Sequence, residues 1–165
     1  MDYEYVHKQL DAASSALHQL IFDQQRDANL RPICDLAQSL IGIPVVWGGN
    51  TPEDGLDCSG VITYILRSTG IIEHNQDFNA RTYALKFMRV ISPGPGVIAC
   101  YGKPVISHVM FCITSTLCIG AVGASKSIQT ISAAIKAGAM VRMRNINYRS
   151  DLIKYVQPFE ALYKD

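Results

Sequence analysis

Apolar residues recur at near-helical spacing through the first twenty-six positions. Tyr3, Val6, Leu10, Ala13, Leu17, Leu20 and Ile21 form one stripe, which predicts an amphipathic helix over 3–26. A second helix is expected from Asn29, with Pro32 in its first turn and Ile33, Leu36, Ala37, Leu40 and Ile41 on one face. Proline suits a first turn because its missing N–H is unpaired there anyway. Gly42 ends this helix and Pro44 keeps the chain from resuming it. The stretch WGGNTPEDGLD at 47–57 reads as a loop, rich in residues that tolerate special backbone angles. A third helix should run from about Cys58 to Thr69, capped by Asp57 and ended by Gly70.

Beyond a loop through Phe78, a short helix is predicted at 81–88. SPGPG at 92–96 then marks a switch to strands, with β candidates at 97–101, 106–114 and 117–123, short and rich in Val, Ile and Phe. A helix at 128–137 ending at Gly138, a strand at 139–145 and a terminal helix at 151–156 complete the chain. Helices first and mostly antiparallel strands afterwards is an α+β pattern, the helices packed on one sheet. The 165 residues are 48% hydrophobic and 18% charged, enough for one domain with a sizeable core. We take 1–165 as that single domain, with 1–28 as an N-terminal helical extension.

Charge narrows the partners. Fifteen basic against fourteen acidic residues leave +1, without the basic excess that phosphate-driven nucleic-acid binding needs. The excess is local: residues 1–120 carry −3 and 121–165 carry +4. Arg142, Arg144 and Arg149 could therefore draw an anionic substrate, or form a solvated strand face. Five cysteines stand without a CxxC pair, and four histidines without an HExxH spacing, so neither metal nor cofactor is expected. The start is acidic and amphipathic rather than signal-like. No apolar run reaches the roughly 18 residues of a membrane span. The expectation is synthesis in the cytoplasm with free thiols.

The chemistry concentrates at VWGGNTPEDGLDCSG, 46–60. Cys58 falls in the first turn of a helix, directly after an acidic N-cap and a glycine-rich loop. Unpaired N–H groups and a partial positive charge at that terminus favour a thiolate, and the same N–H groups could hold an oxyanion. Such a nucleophile needs a base that returns the proton to the leaving amine. His7 and His18 lie on the first helix and His74 in a polar loop. His108 opens the strand SHVMFCIT and is the histidine fixed on a rigid element. Cys34, Cys100, Cys112 and Cys118 read as core.

These residues resemble the NlpC-type (NlpC and p-sixty) papain-like cysteine peptidases of bacterial cell walls. The likeness is carried by IGIPVVWGGNTPEDGLDCSGVITYIL at 41–66, PGVIACY at 95–101 and SHVMFCI at 107–113, and covers roughly residues 31–125. It implies a papain-like core, with the nucleophile's helix packed against an antiparallel sheet. It further implies Cys58 as nucleophile and His108 as base, with Asp57, Ser59 and Trp47 around the substrate and Asp57 and Ser59 binding its amine. Three family positions differ. Val45 stands where a tyrosine is usual, Val97 replaces an acidic residue, and the polar residue that orients the histidine aligns with Gly120. Ser125, Gln129 and a bound water are the candidate substitutes.

The resemblance implies cleavage of peptidoglycan stem peptides through a thioester acyl-enzyme, often between D-glutamate and the diamino acid. A chain without an export signal is expected to be phage-associated or a secreted antibacterial toxin acting in the periplasm or wall, with a carrier or immunity protein as partner. Two alternatives stay open: a catalytically impaired papain-like binding module, and a cysteine acyltransferase or deamidase acting on proteins.

Overall fold

The computed structural model describes residues 3–162 of the chain. One long helix, α1 (Tyr3–Ser39), leads into a two-stranded hairpin, β1 (Asn50–Thr51) with β2 (Gly55–Leu56), and then into α2 (Cys58–Ser68) and α3 (Ala80–Lys86). The strands β3 (Met88–Val90), β4 (Ile98–Tyr101), β5 (His108–Cys112), β6 (Leu117–Val122), β7 (Met140–Asn145) and β8 (Leu152–Gln157) follow, with α4 (Ile131–Ala137) between β6 and β7. Six strands form one sheet in the order β3-β8-β4-β5-β6-β7, and every pairing is antiparallel. This is the expected α+β architecture.

The core follows from strand alternation. Ile98, Cys100, Val109, Phe111 and Val156 project to one face and meet Val61, Ile62, Ile65 and Leu66 of α2. Ala99, Tyr101, Met110, Cys112 and Cys118 project to the other, where Val97 and Ile146 close over them. Strands β4 and β5 are buried along their whole length, so the sheet has a rigid centre, and His108 begins one of its two central strands.

Two expectations are corrected. Helices at 3–26 and from Asn29 are one uninterrupted helix with Pro32 inside it. The acceptor that Pro32 leaves unpaired is the carbonyl of Ala28, which is exposed, so water can replace the missing bond and the usual break is avoided. The terminal helix at 151–156 is instead strand β8, between β3 and β4. Its Ile153, Tyr155 and Val156 favour pleated structure, and pairing on both sides overrides a short helical reading. Strand β3, which falls partly on the helix predicted at 81–88, is the edge that β8 creates. The hairpin β1–β2 lies inside the stretch read as a loop, and the other helices and strands lie within a few residues of their predicted places, α2 with Asp57 as its N-cap. Helix α1 is exposed from His7 through Ile21 and first buries a residue fully at Leu30.

Candidate active site

The loop before α2 is built around one carboxylate. Asp57 Oδ1 accepts from the Gly60 N–H at 2.7 Å and from Ser59 Oγ at 2.8 Å, while Oδ2 accepts from the Gly48 N–H at 3.0 Å. The Asp57 N–H in turn donates to the Gly49 carbonyl at 2.9 Å. The N-cap therefore also ties the glycine loop to the helix start. Glycine is required at the closest approaches. A Cβ on Gly60 would lie 1.9 Å from the Gly49 oxygen, and one on Gly49 would lie 2.2 Å from the Gly55 oxygen.

Cys58 opens α2 at this junction and keeps part of its surface open to solvent. The backbone N–H groups of Val109, Ser59 and Cys58 itself lie near enough to favour its thiolate. Val109 directly follows His108, so the sulfur sits at the His108 end of β5. The sulfur is not the resting thiolate that the helix terminus led us to expect. Burial first, and then the Asp57 carboxylate, push the thiol up to about 11 against those three donors. The acidic cap offsets the terminus's positive potential, and desolvation outweighs the remainder.

His108 is 7% exposed. Burial, and then the Arg149 guanidinium, lower its imidazole to about 4, with Asp151 opposing them. Cys58 and His108 are thus both neutral near pH 7. The Nε2 of His108 lies 2.9 Å from the Tyr148 hydroxyl, in the 3-10 turn Ile146–Tyr148 that follows β7. The Tyr101 ring packs against both, with centroids 5.7 Å from His108 and 5.6 Å from Tyr148, and its hydroxyl donates to the Ile146 carbonyl at 2.8 Å. Arg149 forms a two-pronged bridge to Asp151 at 2.8 and 2.6 Å.

Neither side chain proposed as a substitute at the orienting position reaches the ring. Ser125 pairs with Ser127 and Gln129 donates to the Lys126 carbonyl, both in an exposed loop. Gly120 faces Met110, and a Cβ there would lie 2.8 Å from that methionine's Cγ. Trp47 is 44% exposed, with the Lys126 ammonium over its ring, so it lies at the surface rather than in the core. Val45 is buried in a small cluster that packs against Cys58.

At the N-terminus of α2 lies a small polar cavity of about 170 Å³, lined by Asp57, Ser59, Gly60, Asn50, Asp77 and Asn79 among others. Asp77 accepts from Asn50 Nδ2 at 2.9 Å and from Thr63 Oγ1 at 3.2 Å. Each carboxylate keeps unused acceptor sites, so the cavity suits a cationic or amide N–H group. Sequence reasoning missed Asp77 and Tyr148. Both sit in irregular segments without periodicity, and long-range packing brings them to the site. Among the described residues no His, Cys, Asp and Glu cluster could hold a metal ion, and no helix is long and apolar enough to cross a membrane.

Comparison with known proteins identifies the family and the fold. The model of the NlpC/P60 family matches residues 42–148. Gamma-DL-glutamyl hydrolase of Bacillus subtilis is 44% identical over 36 residues, a segment that spans 22% of this chain and 9% of that protein. Among solved structures, the NlpC/p60 domain of the peptidoglycan hydrolase SagA superposes with a TM-score of 0.53 at 22% identity, covering 76% of this chain and 95% of that one. An NlpC/P60 family protein from Bacillus cereus gives 0.62 at 18% identity over 78% and 39% of the respective chains. The peptidoglycan hydrolase RipB from Mycobacterium tuberculosis gives 0.56 at 18% identity over 79% and 67%. At these identities the superpositions establish the fold.

Proposed function

The chain belongs to the NlpC/P60 family of peptidoglycan hydrolases, and from that premise we propose that it hydrolyses an amide bond in peptidoglycan stem peptides, with Cys58 as nucleophile and His108 as base. The observation that carries this reading is the placement of Cys58, a half-buried residue at the start of α2, by Val109 at the His108 end of β5, with its chain neighbours Asp57 and Ser59 lining an acidic cavity. Asp57 and Asp77 suit the free amine of a peptide stem, with Ser59 at the cavity wall. The name of the Bacillus subtilis relative supports a glutamyl amide as the bond cut.

With both partners neutral at rest, charge develops during the attack. The Cys58 thiol gives its proton to His108 as the sulfur bonds the carbonyl carbon. The carbonyl oxygen becomes an oxyanion beside the N–H groups at the start of α2. The imidazolium then protonates the leaving nitrogen as the C–N bond breaks, which leaves a thioester and a free amine. Water attacks the thioester and gives a proton to His108. The carboxylic acid leaves, and the proton returns to sulfur. Each cycle consumes one water for one amide.

Digestion of purified peptidoglycan, with fragments analysed by mass, tests this. The wild type should release peptides with a new amine and a new carboxyl, and Cys58→Ala should release none. Equal fragments from both, or none from the wild type, would refute the proposal and favour the binding-module alternative. Transfer of the acyl group to an added amine in place of free acid would identify an acyltransferase.

A further inference from the structure

We propose that Tyr148 is the positioning residue of this site, its hydroxyl oxygen accepting the Nε2–H of His108 in the role that Gly120, without a side chain, cannot take. The inference rests on the reading of His108 as the base. A neutral imidazole has one N–H and one lone pair. Nε2 lies 2.9 Å from the Tyr148 oxygen, which leaves Nδ1 as the nitrogen able to take the Cys58 proton. That role requires Nδ1 bare and Nε2 protonated, so Tyr148 must accept. A phenol oxygen has two acceptor sites, and it can hold Nε2–H before and after the ring is charged without moving.

The surroundings fix Tyr148 for that task. Burial opposes the ionised form of the hydroxyl, and the Arg149 guanidinium, next in the chain, favours it. Arg149 is itself held by Asp151. Tyr101 pins the turn through the Ile146 carbonyl and stacks edge-on against Tyr148. Tyr148 is half-buried, so its own proton can face water. On β6, by contrast, the Met110 side chain packs over Gly120, and that position has no side chain to offer the ring. The orienting function has moved from β6 to the turn after β7, on the same side of the sheet.

The test is the tautomer of His108, read from its ring nitrogens in long-range proton–nitrogen spectra of labelled protein at pH 7. In the wild type His108 should carry its proton on Nε2. In Tyr148→Phe, which keeps the ring and its packing, this preference should be lost. The turnover number should fall on the order of 100-fold with KM changed far less. A proton on Nδ1 in the wild type, or an unchanged tautomer in Tyr148→Phe, overturns the inference. The wild-type spectrum decides even if the variant fails to fold. If the wild type cleaves no peptidoglycan, the functional reading falls while the tautomer still judges Tyr148.

Discussion

Substituting Gly60 with alanine tests whether the site is built by close backbone approach. The new Cβ would lie 1.9 Å from the Gly49 oxygen, where ordinary contact begins at 3.4 Å, so the loop must retreat by about 1.5 Å. That retreat stretches Asp57 N–H to Gly49 O, now 2.9 Å, and Gly48 N–H to Asp57 Oδ2, now 3.0 Å, beyond hydrogen-bonding range. Each donor left poorly paired costs about 1–3 kcal/mol, and alanine's better helix propensity returns about 1 kcal/mol. The net loss is about 1–5 kcal/mol. In urea, with a slope near 2 kcal/mol/M for a small domain, the midpoint should fall by about 0.5–2.5 M. Gly94, where a Cβ would meet nothing within 4 Å, is the control, and Gly94→Ala should stay within about 0.5 kcal/mol of wild type. If Gly60→Ala proves as stable as Gly94→Ala, the close-approach reasoning is wrong.

Other outcomes follow from the titrations and from α1. Because His108 is lowered from 6.5 to about 4, the acid limb of the pH–rate profile should lie near pH 4. At pH 5 about 90% of the plateau should remain, against about 3% for an ordinary imidazole. Between pH 6.5 and 4 the unfolded chain takes up a proton that folded His108 refuses. Stability should therefore drop by about 3 kcal/mol as pH falls through that window, as denaturant titrations at several pH values would show. Raised toward 11, Cys58 should react with iodoacetamide at pH 7 more slowly than free cysteine, and faster as pH rises. Asp57→Asn, which keeps a cap acceptor and removes the charge, should shift that reactivity to lower pH. Deleting residues 1–20 should leave the melting temperature within a few degrees, since His7 through Ile21 are exposed. A large drop would show that the extension is integral to the fold.

Legibility in the sequence tracked how local the governing interaction was. Helix α2, its Asp57 cap and the glycine loop were readable because caps and turns are set by neighbouring residues. The central strands were readable from short β-branched runs. Strand β8 was misread because its place between β3 and β4 depends on pairing partners more than fifty residues away, and six residues hold too little periodicity to decide. The continuity of α1 through Pro32 turned on solvent access to the Ala28 carbonyl, which no pattern reveals. At the site, Cys58 and His108, the proposed nucleophile and base, stood out by residue type and position. The neutrality of the Cys58 thiol did not, because it depends on burial and on the cap's own charge. Tyr148 was invisible for the same reason as β8: 40 residues separate it from His108, and the turn that brings it back has no motif.

The proposed mechanism requires Cys58 and His108 to act as one unit, and a double-mutant cycle on kcat/KM measures that coupling. Stem peptide hydrolysis by the wild type would be compared with Cys58→Ala, His108→Ala and the double variant. If the two residues exchange one proton in one step, each single change should abolish nearly as much activity as both together, a strongly non-additive result. Substantial turnover surviving in His108→Ala, or losses that simply multiply, would contradict it.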